Sequence, residues 1–269
     1  MNGPGRFGVL AAEAVQDAVR RRIVAVIAVV SLLSLLLVDS CTSCGSGSVT
    51  INGRAADLSS IAGWTGALSF VVLGLWGVVL AGVLASEHLA QTLADGSATL
   101  CLARPVGRGS FALARLVGVL AIALGTGALL LGGTASLVHA RSGLALAPAA
   151  SAGLACALGM VAVGSLAMLA SLYLARTATV LLVFALTGVI ATANAFSLAG
   201  RELAGFLGAV DRFGPPLASA LALGVSDWIP QLTLRADPLE VSLRLLGWAV
   251  AGVALLWVAF RRLEISPDS

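Results

Sequence analysis

The sequence has no lysine: all 16 of its basic residues are arginine. A Walker-type phosphate loop needs its lysine on the nucleotide phosphates, so the chain is not expected to bind and hydrolyse ATP by itself. Charge of either sign is scarce, at 11% of residues, where a soluble domain carries about 25%. The net charge of +3 is spread along the chain rather than gathered with the 5% of aromatic residues, which gives nucleic-acid binding no support. Only two histidines are present, His88 and His139. They cannot supply the H-E-x-x-H helix of a zinc peptidase, so Glu87-His88 reads as an interfacial pair at the edge of the hydrocarbon rather than as a catalytic dyad.

What fills the chain is apolar: 59% hydrophobic residues and a mean hydropathy of +1.02. A bilayer core needs about 20 apolar residues per helix and leaves no backbone group to water, whereas a barrel would show alternation. The runs here are continuous, which predicts an all-α polytopic membrane protein with spans over 23–38, 61–86, 112–139, 149–175, 177–199 and 243–260. The first run is short unless Arg20, Arg21 and Arg22 snorkel. Residues 5–20 read as an amphipathic interfacial helix, with Phe7, Leu10, Ala14 and Ala18 on one face and Glu13, Gln16, Asp17 and Arg20 on others. Those acids, and the lack of an A-x-A-like site after the apolar run, argue against a cleaved signal peptide.

The organisation expected is therefore a cytoplasmic helix over 1–22, a six-span domain over 23–262 and a cytoplasmic tail over 263–269. Spans four and five, parted only around Arg176, read as a helical hairpin. With the N-terminus inside, ten of the sixteen arginines fall on the cytoplasmic side, which favours a multi-pass protein of the cell membrane with both termini cytoplasmic. The outer segment 200–238 is apolar enough for interfacial helices, broken at Gly214-Pro215-Pro216, that lie on the membrane face or cap the bundle. Asn194, Thr187 and Thr192 in span five suit interhelical hydrogen bonds, with a lining role as the alternative. Gly74, Gly77, Gly125, Gly127, Gly159 and Gly164 suit close helix packing.

The connector 87–110 must face water. Residues 90–102 are compatible with a short helix, Pro105 ends it, and Gly107 and Gly109 permit a turn into span three. The run Gly96-Ser97-Ala98-Thr99-Leu100-Cys101-Leu102-Ala103-Arg104-Pro105-Val106-Gly107-Arg108 resembles a segment of ABC-2-type transporter permeases: acidic residues, Gly-Thr/Ser, a leucine-rich helix, then Pro-Val/Leu-Ser/Gly-Arg after the second span. The layout of amphipathic helix, six spans and long outer segment resembles that family over the whole chain. Two departures are the single acid, Asp95, before the glycine, and Arg115 where a lysine is common. The resemblance implies a permease that dimerises with a second copy or a related permease and docks on a separate ATP-binding subunit, which holds ATP and Mg. By position, the docking residues it implies are Asp95, Gly96, Ser97, Leu100, Arg104, Pro105 and Arg108.

Cys41 and Cys44 fall in the first outer loop, where a disulfide, a free thiol pair or a soft-metal site are open readings, in that order. One ABC-2 subgroup that this chain resembles in size and layout serves maturation of the copper enzyme nitrous oxide reductase, and it gives the alternative function; a non-transporting membrane anchor is another. Cys101 and Cys156 read as small helix residues. A membrane-embedded enzyme or a proton-coupled carrier would need paired acids or an ionisable relay deep in the spans, and the sequence offers none. The reading is a permease subunit, an exporter rather than an enzyme, with no catalytic residue and no cofactor of its own, in contact with membrane lipid.

Overall fold

The computed structural model describes residues 4–20, 29, 31–37, 39–40, 50–51, 54–55, 58–94, 107–229, 234 and 236–262. Nearly all of them are helical. Helix α1 covers Pro4–Arg20, α2 Leu58–Ala94, α3 Arg108–Ser142, α4 Ala147–Ala170 and α5 Arg176–Leu198. Two short helices follow, α6 over Gly205–Phe213 and α7 over Leu217–Gly224, then a 3-10 turn at Ser226–Trp228 and the last helix, α8, over Pro238–Arg262. The one ladder among the described residues is an antiparallel pair, Thr50–Ile51 with Arg54–Ala55.

Among the described residues, five helices are long and apolar enough to cross a membrane: Gly63–His88 of α2, and α3, α4, α5 and α8. They coincide with the second to sixth runs expected from hydropathy. Half of the first run, 23–38, falls outside the described residues; within it, 31–37 is helical, and Leu35 lies against Gly133 of α3.

Helix α4 is the hub and packs on α2, α3, α7 and α8. Its composition explains why: Ala, Gly and Ser recur along it, so neighbours approach on several sides. One close approach involves Gly252 of α8, where an added Cβ would run into Ser165 Oγ and lie 3.4 Å from the Ala162 carbonyl. Of the six glycines singled out for packing, five face a neighbouring helix, whereas Gly125 faces open space. The hairpin expected of spans four and five exists as a short 171–175 turn, but α5 packs on α2, α6 and α7 more than on α4.

The segment 200–238 does break at residues 214–216, and its two helices behave differently. Helix α6 has no buried residue, and Phe206 and Phe213 are exposed. Helix α7 is inserted in the core, with Leu217 beside Gly159 and Leu221 against Gly74. Trp228 then closes this end of the bundle, edge-on to Phe70 at 5.7 Å, with its indole N–H donating to the Ala145 carbonyl at 2.9 Å.

Because α4 and α8 touch at Gly252, a Gly252→Leu variant is expected to lose about 2 kcal/mol of stability through overpacking. Gly247→Leu, on the same helix but facing open space, should change it by less than about 0.5 kcal/mol. Thermal unfolding of the two purified variants in one detergent checks the difference.

Candidate functional site

The end of the bundle where α1 lies gathers the ends of α2, α4 and α8 and the starts of α3 and α5. Helix α2 does not stop at the edge of its apolar run. It continues through Glu87 and His88 to Ala94, because no glycine or proline interrupts residues 83–94. The short helix expected within the connector is thus, in its first part, an extension of α2. Residues 95–106 lie outside the described residues, and with them Asp95, Gly96, Ser97, Leu100, Arg104 and Pro105. Arg108 is placed: it is exposed and opens α3, whose first turn closes by a bond from the Phe111 N–H to the Gly107 carbonyl at 3.1 Å.

Helix α1 lies across α3, and three contacts hold it there. Ala14 is fully buried, and Gly118 of α3 has no side chain to keep it away: a Cβ there would sit 2.5 Å from the Ala14 Cβ and 2.9 Å from the Ala11 carbonyl. His88, at the end of the buried part of α2, donates through Nε2 to the Ala14 carbonyl at 2.9 Å. A carbonyl can only accept, so this bond fixes the proton on Nε2. One turn further along α1, Asp17 pairs with Arg115 of α3 at 3.1 Å.

Arg115 is 4% exposed although charged. Its guanidinium also lies over the Phe111 ring at 5.4 Å, and Phe111 stacks on Phe260 of α8 at 6.1 Å. Among the described atoms its Nε has no partner, so Asp17 and the ring are what offset its burial. The α1 pattern placed Asp17 on the polar face and Phe7 on the apolar one. In the structure Asp17 turns to Arg115, while Phe7 is 37% exposed. The reason is the buried cation, a charge 98 positions away in sequence that no local periodicity reveals.

Glu87 and His88 therefore part company. His88 binds α1, whereas Glu87 forms an ion pair with Arg176 at the start of α5. The first turn of α3 is held from the other side by α8, where Trp257 covers Gly109 and carries the Arg261 guanidinium 4.6 Å from its ring. Both helices that flank the connector are thus fastened to their neighbours at its very edges.

The opposite end has its own polar joint, built by the α6–α7 break. Carbonyls left without helical partners at Asp211 and Gly214 accept from Arg244 at 2.6 and 2.9 Å, and that of Phe213 accepts from the Trp248 indole at 3.0 Å. Arg244 and Trp248 are four residues apart on α8 and share a face. Asn194, 1% exposed, donates to Asp211 at 2.9 Å and accepts from the Ala218 N–H at 3.3 Å. Its interhelical role is the one the sequence suggested. Between these ends an apolar groove of about 540 Å³ opens between α4 and α5, with Leu166, Val183 and Ile190 on its walls and Phe213 and Trp248 across its end.

Cys41, Cys44 and Cys101 lie outside the described residues, while Cys156 is a buried thiol whose Sγ lies 3.4 Å from the Gly74 carbonyl. The class that the fold defines is an all-helical membrane protein with polar joints at both ends of its bundle. Compared with known protein families the chain matches none, and no curated protein matches it.

Replacing Asp17 by Asn strands the buried Arg115 charge and is expected to loosen α1 by about 2 to 3 kcal/mol, somewhat less than a fully buried pair would cost because Asp17 is 39% exposed. The double variant Asp17→Leu/Arg115→Leu should recover most of that loss. Hydrogen exchange over residues 7–17, compared with α2 in the same sample, reads the effect; full protection of α1 in Asp17→Asn would contradict it.

Proposed function

We propose that the chain is the permease subunit of an ABC transporter, most simply an exporter, driven by ATP that a separate nucleotide-binding subunit binds with Mg and hydrolyses. The observation that carries this reading is the fastening of α1 to both helices that flank the connector. His88 stands near the end of α2 and Arg115 in the second turn of α3, and both bind α1. Between those helices lies the 96–108 run that resembles the coupling segment of ABC-2-type permeases. A push delivered there by a partner would reach α1 through α2 and α3 together, and α5 through Glu87 and Arg176.

Charge supports the orientation. Arg6, Arg20, Arg108, Arg115, Arg176, Arg261 and Arg262 lie at the α1 end, against Arg54, Arg141, Arg201, Arg212 and Arg244 at the other. By the positive-inside tendency the α1 end is cytoplasmic, which puts the connector within reach of a soluble ATPase. With the 23–38 run as a further span, the protein crosses the cell membrane six times, both termini stay inside, and α1 lies at the inner membrane surface. The working unit pairs this permease with a second one and with its ATPases.

Co-expression with the Walker-A-containing ATPase encoded nearest to this gene tests the reading. The two should co-purify, and Arg108→Glu should weaken capture about tenfold, as a reversed charge at a docking edge does. Transport in proteoliposomes should vanish when the ATPase loses its Walker lysine. Transport that persists without any nucleotide-binding subunit would overturn the proposal.

A further inference from the structure

The α1 end also carries a trough of about 530 Å³ between the end of α4 and the last turns of α8, lined by Leu169, Tyr173, Leu255, Val258, Ala259 and Arg262. On α8 these residues recur at i, i+3, i+4 and i+7, which is one helix face, with the apolar ones first and the arginine last. The other wall has the same order, Leu169 and then Tyr173. At 1.5 Å per residue, Arg262 lies about 10 Å further along the axis than Leu255. The trough is therefore apolar towards the middle of the bundle and polar at its mouth, where the spans end.

The two polar groups are available. Tyr173 is 69% exposed. Arg262 is exposed and makes no ion pair with the described residues, whereas Arg176 is paired with Glu87 and Arg261 is occupied by Trp257. Burying such a cation against an apolar protein helix would leave it without compensation. An anion attached to an acyl chain matches both parts of the trough.

We infer that this trough seats a membrane phospholipid with an anionic headgroup. Its chain lies along Leu169, Leu255, Val258 and Ala259, and its phosphate takes N–H groups of the Arg262 guanidinium and the Tyr173 hydroxyl. Guanidinium forks match phosphate oxygens, and tyrosine suits the boundary where one end is apolar and the other wet. The inference needs α8 to lie in a membrane but does not rest on the transport reading.

Native mass spectrometry of the full chain tests it, after equilibration with equal amounts of phosphatidylglycerol and phosphatidylcholine of the same chain length. Wild type should retain phosphatidylglycerol preferentially. Arg262→Gln should lower that retention about fivefold, the worth of one basic residue at an anionic surface. Val258→Trp, which fills the apolar floor, should reduce retention of both lipids, and Arg261→Gln should leave retention as in wild type. Equal retention of the two lipids by wild type overturns the inference. So do equal losses in Arg261→Gln and Arg262→Gln, which would mean general surface attraction, or an unaffected Val258→Trp.

Discussion

A peptide group in hydrocarbon has no water to bond, and this constraint decides where the chain can bend. Within the spans it does not bend: α2, α3, α4, α5 and α8 run unbroken and satisfy their own backbones. Where the chain turns back into the core, at the break between α6 and α7, the orphaned carbonyls of Asp211, Phe213 and Gly214 are met by Arg244 and Trp248, and the Ala218 N–H by Asn194. Asn194 is at once a buried polar group that needs partners and one that satisfies the break, while Arg244 and Trp248 serve it from the half-buried face of α8. That mutual dependence is why a helix as short as α7 can be buried at all.

Close packing follows from a second constraint. Lipid is as apolar as leucine, so helices gain little from mere burial and are held by van der Waals contact and hydrogen bonds. Small residues supply the contact: α4 meets neighbours on several sides through Ala, Gly and Ser, and Gly252 brings α8 within reach of Ser165. The same device admits α1, since Gly118 lets Ala14 approach the surface of α3. Only then can His88 and Arg115 reach it. The joint is thus a sequence of conditions, with a missing side chain first and directional bonds after it.

Hydropathy was enough to locate the five long helices, because a span announces itself by length. Their ends were less legible. Helix α2 runs to Ala94 since nothing in residues 87–94 stops a helix, and polarity alone suggested an earlier edge. The core position of α7 could not be read from eight residues whose apolarity suits a membrane surface equally well. The joint at α1 was least legible of all. Asp17 and Arg115 each looked like local features, a polar face and an early span arginine, and only the fold sets them 3.1 Å apart. Of the docking residues inferred from resemblance, Arg108 alone falls among the described residues, exposed at the start of α3.

If a nucleotide-driven partner acts on the connector as proposed, α1 and the helix ends that flank the connector move as one body. Spin labels at Val9 on α1, Ser110 at the start of α3 and Tyr173 beyond α4, in the reconstituted complex with its ATPase, would measure this most directly. The account predicts that the Val9–Ser110 distance stays the same between ATP-bound and ADP-bound states while the Val9–Tyr173 distance changes. A Val9–Ser110 distance that shifts with nucleotide would contradict it.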